Sequence, residues 1–379
     1  MGENELKYVN EAFALNWVAP AGPDLPRLEE SIKTFFNVEA VAALSSGTAG
    51  LHLAMIALGI QPGDEVLVQS MTFTASANPI MYLGAIPIFI DSEEETWNLD
   101  PDAVREAIED RISKGKKPKA IIAVHLYGMP AKMAELESIA SEFDIPLIED
   151  AAEAAGSTYM GKMCGSFGRL SVLSFNGNKI ITTSGGGALL SNDWNLVNHA
   201  RFLSTQAKDQ AAHYQHSEIG YNYRMSNICA AIGVGQMEVL PDRVKQRRAN
   251  YDFYRDHLSD LAGFEFVPES YGSYSNRWLS AVLINPEKTG GFTREHIRLA
   301  LDAENIESRP LWKPLHTQPV YKELPYYGSN VAERLFDIGL CLPSGSNLLD
   351  EDRERVVSII RDFVRNHEIH KLDISAKSA

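Results

Sequence analysis

Residues 174–187 read Ser174-Phe175-Asn176-Gly177-Asn178-Lys179-Ile180-Ile181-Thr182-Thr183-Ser184-Gly185-Gly186-Gly187. One lysine, Lys179, stands here between two short apolar, strand-like runs and just ahead of three glycines. An earlier hydrophobic run, 146–149, has the length of a buried strand and ends beside Asp150. Carboxyl ends of parallel strands meet at one edge of a sheet. The stretch therefore indicates an α/β fold with a ligand site at that edge.

The pair formed by Lys179 and Asp150 meets the chemical requirements of pyridoxal phosphate (PLP). The lysine amine forms an imine with the cofactor aldehyde, and the carboxylate keeps the pyridine nitrogen protonated. Each residue also has an ordinary alternative, an exposed loop for the lysine and a helix N-cap for the aspartate. The apolar flanks of Lys179 disfavour the exposed loop, so the pair predicts an enzyme whose chemistry takes place at Lys179.

The composition argues against several classes of partner. The chain has 379 residues, 45 % of them hydrophobic, which is enough for a large core and at least two domains. Its formal net charge of −15 repels nucleic acid and anionic lipid, so we expect neither nucleic-acid nor membrane partners. An anionic substrate must therefore be held by a local cluster of positive charge.

The cysteines and the N-terminus point to a cytoplasmic protein. Cys164, Cys229 and Cys341 lie far apart and form no CxxC pair, which argues against a disulfide framework or a metal site. The first residues are polar and acidic, unlike a signal peptide. No apolar run approaches the roughly 20 residues of a membrane helix.

Strand-like and helical patterns alternate over residues 27–200, which predicts βαβ units and a largely parallel sheet. The predicted strands are 41–44, 65–69, 86–90, 120–125, 146–149, 170–174 and 188–191. The predicted helices between them are 49–58, 75–83, 101–113 and 132–142. Segment 170–190 contains three β-like runs with short loops, which predicts a local antiparallel insertion that carries Lys179.

The second half of the chain predicts a smaller α+β domain. A polar loop at 204–222 precedes a helix at 226–239, which Pro241 is expected to break before a charged helix at 243–258. We place the domain boundary near residue 240, giving a large domain 1–240 and a small domain 241–379. The predicted elements of the small domain are 264–267, 278–284, 294–304, 306–310, 331–338 and 351–365.

Two further segments suit a cofactor. In Leu44-Ser45-Ser46-Gly47-Thr48, a strand ends and a helix begins, so free backbone N–H groups there could hold the cofactor phosphate. The alternative is ordinary helix capping by Ser46 or Thr48. Phe73 follows a strand and could stack over a planar ring, although such a residue is more often part of a core.

A second group of charged and aromatic residues lies in the segment Glu307-Ser308-Arg309-Pro310-Leu311-Trp312-Lys313-Pro314-Leu315-His316. Two cations, an indole and an imidazole fall within this short segment between prolines. Arginine and lysine pair with phosphates, and aromatic rings stack on bases. A rigid surface loop is the structural alternative.

Taken in order, five segments resemble the DegT/DnrJ/EryC1/StrS sugar aminotransferase family. They are Ser46-Gly47-Thr48, Thr72-Phe73, Glu149-Asp150-Ala151-Ala152, residues 174–179, and Gly220-Tyr221-Asn222-Tyr223-Arg224. The resemblance spans nearly the whole chain. The N-terminal residues 2–8 and 16–20, with segments 174–187 and 309–316, look most like the PglE-like branch. Enzymes of that branch aminate C4 of UDP-linked 4-keto-6-deoxy sugars on the way to bacillosamine.

The resemblance implies fold type I of the PLP-dependent transferases, as in aspartate aminotransferase, and a homodimer with shared active sites. Lys179 would be the Schiff-base lysine and proton carrier, and Asp150 the pyridinium partner. The implied cofactor-binding residues are Ser46, Gly47, Thr48, Phe73, Asp150, Glu153, Ser174, Asn176, Lys179 and, from the neighbouring subunit, Asn222. The residues implied near the nucleotide-sugar are Arg309, Trp312, Lys313 and His316.

Position 153 departs from the family pattern, because many members carry Gln where this chain has Glu153. Its contact with the phenolic oxygen of the cofactor is therefore an open expectation. Some relatives replace the lysine with histidine and become dehydratases, whereas Lys179 favours amino transfer.

The expected reaction moves an amino group from L-glutamate to C4 of a UDP-linked 4-keto-6-deoxy sugar, with UDP-2-acetamido-4-keto-2,6-dideoxyglucose as the expected acceptor. The alternatives are a GDP- or dTDP-linked keto sugar, a PLP-dependent sugar dehydratase, and a PLP-binding regulator without catalysis.

Overall fold

A computed structural model describes the backbone of residues 1–377 and the side chains of residues 1–367 and 369. Fifteen strands lie in this part of the chain. They are β1 Ala40–Leu44, β2 Glu65–Gln69, β3 Ile86–Ile90, β4 Ala120–Val124, β5 Leu147–Asp150, β6 Thr158–Tyr159, β7 Lys162–Met163, β8 Leu170–Ser174, β9 Gly187–Ser191, β10 Phe264–Phe266, β11 Ser273–Tyr274, β12 Ser280–Ile284, β13 Arg309–Pro310, β14 Tyr326–Tyr327 and β15 Gly339–Leu342.

Twelve α-helices connect these strands in the described residues. They are α1 Glu5–Ala14, α2 Asp24–Phe36, α3 Gly47–Ala57, α4 Asn78–Tyr82, α5 Pro101–Ser113, α6 Met133–Glu142, α7 Trp194–Ser204, α8 Asn227–Leu258, α9 Pro286–Thr289, α10 Arg294–Ala303, α11 Val331–Ile338 and α12 Asp350–Lys377. Within residues 1–377, no helix combines the length and the apolar character needed to cross a bilayer.

The largest sheet has eight strands in the order β1-β9-β8-β5-β4-β2-β3-β14. β9 runs antiparallel to both of its neighbours, and the other strands are parallel to one another. The chain runs from β2 to β3 on one side and then to β4 on the other. This reversal creates a crevice at the carboxyl ends of the strands, where α/β folds bind ligands.

Helices cover both faces of this sheet, so its central strands are buried throughout. Alternate residues of β4 enter opposite cores: Ala120 and Ile122 pack with α3 and α7, whereas Ile121 and Ala123 pack with α5 and α6. The hydrophobic runs seen in the sequence are typical of strands buried on both faces. The predicted α/β architecture with a mostly parallel sheet is confirmed.

The predicted insertion at 170–190 differs from the structure. Two strands form there, β8 and β9, which pair antiparallel, and residues 175–186 between them are irregular. Ile180 and Ile181 are apolar because they are buried in a core cluster, not because they form a third strand. Their burial anchors the segment that carries Lys179.

The predicted helix break at Pro241 is wrong. Helix α8 runs without interruption through this proline, and its length of about 48 Å follows from the rise per residue of an α-helix. A proline inside a helix costs roughly 3 kcal/mol through the lost hydrogen bond and its clash. Burial of Leu240 and Val244 beside it, with further buried side chains along α8, outweighs that cost.

A second sheet lies entirely in the C-terminal half, with all-antiparallel strands in the order β10-β12-β15-β13. This sheet, α10 and α12 share a separate core cluster. The chain also returns to the large sheet, because β14 pairs with β3. The division into domains at residue 240 stays a proposal, and α8 crosses that position.

Candidate active site

A cavity of about 340 Å³ lies at the carboxyl ends of the parallel strands. Its walls come from the segments that follow β1, β2, β4, β5 and β8. Nine of the ten predicted cofactor-binding residues line it: Ser46, Gly47, Thr48, Phe73, Asp150, Glu153, Ser174, Asn176 and Lys179. The structure therefore brings together residues that are far apart in the sequence.

Lys179 follows a turn just after β8 and points into this cavity. Its backbone N–H donates to the carbonyl of Asn176 at 3.0 Å, which closes the turn. The side chain is only 11 % exposed, and its Nζ lies 3.4 Å from Oε1 of Glu153. A mostly buried amine that reaches the wall of a cavity can form an imine with an aldehyde bound there.

Asp150 and Glu149 point to opposite faces of the sheet, as successive strand residues do. Asp150 lines the cavity, where Ser76 donates its hydroxyl to Oδ2 at 2.7 Å and the N–H of Ala152 donates to Oδ1 at 3.1 Å. These two hydrogen bonds fix the carboxylate in one orientation. Asp150 is therefore the residue of the pair that faces the cavity, and its contact with the cofactor stays a prediction.

Glu149 is fully buried on the other face and serves as a hydrogen-bonding centre. It accepts from the hydroxyl of Ser171 at 2.8 Å and the N–H of Phe167 at 2.9 Å, and its Oε1 lies 2.7 Å from Nε2 of His125. Burial alone would raise the pKa of Glu149, but these and further hydrogen bonds hold it below its ordinary value. Glu149 and His125 are thus structural groups beneath the site.

The start of α3 forms the anion-binding end of the cavity. Ser46 caps the helix, since its Oγ accepts the N–H of Ala49 at 3.0 Å. The N–H groups of Gly47 and Thr48 lie in the first turn, where a helix supplies no acceptors. A Cβ on Gly47 would stand 3.1 Å from Cβ of Ser174, so only glycine leaves this space open. The arrangement suits a phosphate.

Gly187 supports this end of the cavity from β9. A Cβ at that position would come within 2.5 Å of the backbone nitrogen of Gly47. We expect Gly187→Ala to lower the free energy of unfolding by about 1–3 kcal/mol, as overpacking does, and to weaken PLP binding. Gly177→Ala is the matched control, because its nearest neighbour would be 4.0 Å away. Urea unfolding and PLP titration check this, and equal behaviour of the two variants would contradict it.

Glu153 is buried beside Lys179. Its Oε2 accepts the N–H of Tyr127 at 2.7 Å. Burial raises the pKa of the Glu153 carboxyl, an effect that the nearby Lys179 ammonium opposes only in part. Its contact with the phenolic oxygen of the cofactor stays a prediction.

A second cleft of about 710 Å³ continues from the first. Both are lined by the same five residues at their junction: Thr72, Phe73, Asn178, Trp278 and Trp312. Phe73 is 52 % exposed, and its ring centroid lies 5.6 Å from that of Trp312. Its stacking on a cofactor ring stays a prediction, and the side chain lines both cavities.

Arg309, Trp312 and Lys313 line the larger cleft, whereas His316 lines neither cavity. Nδ1 of His316 lies 2.6 Å from Oγ of Ser70, and Nε2 lies 3.1 Å from Glu333. The predicted substrate contact of His316 is therefore not supported by its position. Its neighbours show that it ties the 309–316 segment to the end of β2.

Asn222 is exposed and lies outside the lining of both cavities of its own chain. The predicted contact is with the site of a neighbouring subunit, and it stays a prediction.

Sequence reasoning missed three residues of the site. Ser76 holds Asp150, the Tyr127 backbone holds Glu153, and Trp278 covers Lys179. Ser76 lies close to Phe73 and could have been found from that motif. The indole N–H of Trp278 donates to the carbonyl of Asn178, which lies 100 positions earlier in the chain, and no local sequence pattern predicts that contact.

The fold and the cavity define a PLP-dependent enzyme. An amine, a fixed carboxylate and a glycine-bounded anion site line one cavity at the strand ends, and the residues present fit the aldehyde, the ring nitrogen and the phosphate of PLP. The family profile described as the DegT/DnrJ/EryC1/StrS aminotransferase family matches residues 1–361. The chain belongs to this family and is a PLP-dependent aminotransferase.

Comparisons with individual proteins agree. The chain is 47 % identical to EpsN of Bacillus subtilis, which is named as a pyridoxal phosphate-dependent aminotransferase, over 100 % of this chain and 97 % of that protein. It is 38 % identical to GDP-perosamine synthase of Escherichia coli O157:H7, over 95 % of each chain. The aminotransferase TlmJ from Streptoalloteichus hindustanus superimposes with a TM-score of 0.89 at 31 % identity, over 97 % of this chain and 98 % of that one. The predicted fold, enzyme class and cofactor are confirmed.

Proposed function

We propose that the enzyme transfers an amino group from L-glutamate to C4 of a UDP-linked 4-keto-6-deoxy sugar, with UDP-2-acetamido-4-keto-2,6-dideoxyglucose as the acceptor. The observation that carries this proposal is the junction of the two cavities. Lys179 and Asp150 line the smaller one, and the larger one, with Arg309 and Lys313 on its wall, opens directly from it. A keto sugar at the junction would have its nucleotide in the larger cleft.

The chemistry depends on the placement of three side chains. PLP, when bound, supplies the electron sink that stabilises negative charge at the α-carbon of the donor. Asp150 would hold the protonated ring nitrogen, and Ser76 and Ala152 orient the carboxylate by hydrogen bonds to both of its oxygens. Lys179, with its amine free, would carry a proton between the donor α-carbon and C4′ of the cofactor.

Local positive charge would hold the nucleotide diphosphate. The overall charge of −15 repels an anion, so Arg309 and Lys313 must act at short range. Arg309 is 75 % exposed and pairs with Glu307 at 2.6 Å. A diphosphate could replace that exposed carboxylate at little cost, since exposed ion pairs contribute only about 0–1 kcal/mol.

A GDP-linked keto sugar is the second candidate, because GDP-perosamine synthases of three bacteria are 36–38 % identical to this chain. A competition assay separates the two. Equal amounts of UDP-2-acetamido-4-keto-2,6-dideoxyglucose and GDP-4-keto-6-deoxymannose are mixed with enzyme, PLP and L-glutamate, and products are followed by mass spectrometry. We expect the UDP-sugar to be aminated at least about tenfold faster, a difference of about 1.4 kcal/mol in the barrier. Faster amination of the GDP-sugar would show that the preferred substrate carries GDP and not UDP, and it would leave the proposed type of reaction unchanged.

The homodimer with shared sites is part of this proposal. The exposed Asn222, which lies outside both cavities of its own chain, is available to a partner.

A further inference from the structure

The amine of Lys179 lies against the face of Trp278. Nζ stands 4.2 Å from the centroid of the ring system, and Trp278 is only 1 % exposed. The tryptophan comes from the segment just before β12, so this contact joins the C-terminal half of the chain to the loop of the large sheet that carries the lysine. A cation over an indole face is attracted by the negative potential of the ring.

Trp278 also holds the backbone beside the lysine. Its indole Nε1 donates to the carbonyl of Asn178 at 2.9 Å. Trp278 is itself fixed, because its N–H donates to Oδ1 of Asn276 at 2.9 Å and its carbonyl accepts from Nη1 of Arg247 at 2.9 Å. One rigid side chain therefore contacts both the backbone next to Lys179, through a hydrogen bond, and the amine of Lys179, through its ring face.

Glu153 forms a second wall beside the amine, and this wall is connected to Trp278. Nδ2 of Asn276 donates to the carbonyl of Glu153 at 2.9 Å, while Oδ1 of the same side chain accepts from Trp278. The amine of Lys179 thus lies between an aromatic face and a carboxylate whose spacing one buried asparagine sets. Neither wall is part of the sequence motifs around Lys179.

We propose that Trp278 is a positioning residue for Lys179: it confines the free amine at the cavity wall and fixes the peptide from which the side chain extends. A lysine side chain has a flexible four-carbon stem, and a displacement of about 1 Å at a reacting atom can cost about 100-fold in rate. The ring face limits where the nitrogen can lie without a directed hydrogen bond, so both the lone pair of the neutral amine and the protons of the charged amine remain available for transfer.

Two variants separate the contributions of the indole. Trp278→Phe keeps an aromatic face and removes the N–H, whereas Trp278→Leu removes both. The readout is the rate at which apoprotein captures added PLP on Lys179, trapped with borohydride at timed intervals and quantified by peptide mass spectrometry. We expect capture to slow about tenfold in Trp278→Phe and about 100-fold in Trp278→Leu. Turnover should fall in parallel, with KM for the amino donor changing less than about threefold.

Phe292→Leu is the matched control for loss of a buried aromatic residue. Phe292 is 2 % exposed and belongs to the core of the second sheet, away from the cavity. It should lower the melting temperature and leave the capture rate unchanged. Wild-type capture in both Trp278 variants, or a loss no larger than in Phe292→Leu, would overturn the proposal. If Trp278→Leu does not fold, the capture rate of Trp278→Phe decides alone.

Discussion

Replacing Lys179 with alanine is expected to abolish multiple turnover, with a loss on the order of 10⁴-fold or more. In the proposed mechanism the variant loses the amine that attaches the cofactor and carries the proton, and no second lysine lines the smaller cavity in the described part of the chain. The protein should still fold, because the Lys179 side chain contacts the cavity wall and is not part of a hydrophobic cluster. Product formation under steady-state conditions measures the loss.

Lys179→Arg is the matched control for charge. Arginine can keep an ion pair with Glu153, but it cannot form an imine and does not give up its proton. Both variants should bind PLP without a borohydride-stable adduct at position 179. Sustained turnover by either variant would remove Lys179 from its catalytic role.

Asp150→Asn is expected to lower the turnover number by on the order of 100-fold or more. Asparagine has nearly the same shape and can still accept from Ser76, but it lacks the negative charge that we propose keeps the ring nitrogen protonated. Such preorganised charge is among the largest contributions to catalysis. Stopped-flow measurement of the half-reaction with L-glutamate alone reports this step without the sugar.

Ser76→Ala tests the support of that carboxylate. The negative charge of Asp150 remains, and only the hydrogen bond of 2.7 Å from Ser76 that orients it is lost. Its effect on the half-reaction should therefore be smaller than that of Asp150→Asn. A near-normal rate for Asp150→Asn would show that another group, and not Asp150, keeps the ring nitrogen of the cofactor protonated.

The sheet could be predicted from the sequence because its strands are buried on both faces and are short. Predicted strands 65–69, 86–90 and 170–174 agree with the structure at both ends. Predictions failed where tertiary packing outweighed a local rule. Pro241 does not end its helix, because buried neighbours hold it. The apolar Ile180 and Ile181 are buried in an irregular segment that no periodicity distinguishes from a strand.

The residues of the site also fall into those that the sequence predicts and those that depend on tertiary packing. Lys179, Asp150 and the start of α3 follow strand ends, so topology alone brings them together. Trp278 and Ser76 act through contacts that depend on how distant segments pack, and local patterns carry no information about those contacts. The place of His316 near the nucleotide-sugar is implied by the resemblance and stays a prediction, and its side chain lies against Ser70 and Glu333.

The most direct test of the account follows the nitrogen atom itself. Purified enzyme with PLP is incubated with ¹⁵N-labelled L-glutamate and UDP-2-acetamido-4-keto-2,6-dideoxyglucose, and the sugar nucleotide is analysed by mass spectrometry and NMR. We expect a 4-amino sugar nucleotide that carries the label at C4, together with an equal amount of 2-oxoglutarate, and neither product with Lys179→Ala. A deoxygenated sugar without nitrogen, or labelled product formed by Lys179→Ala, would contradict it.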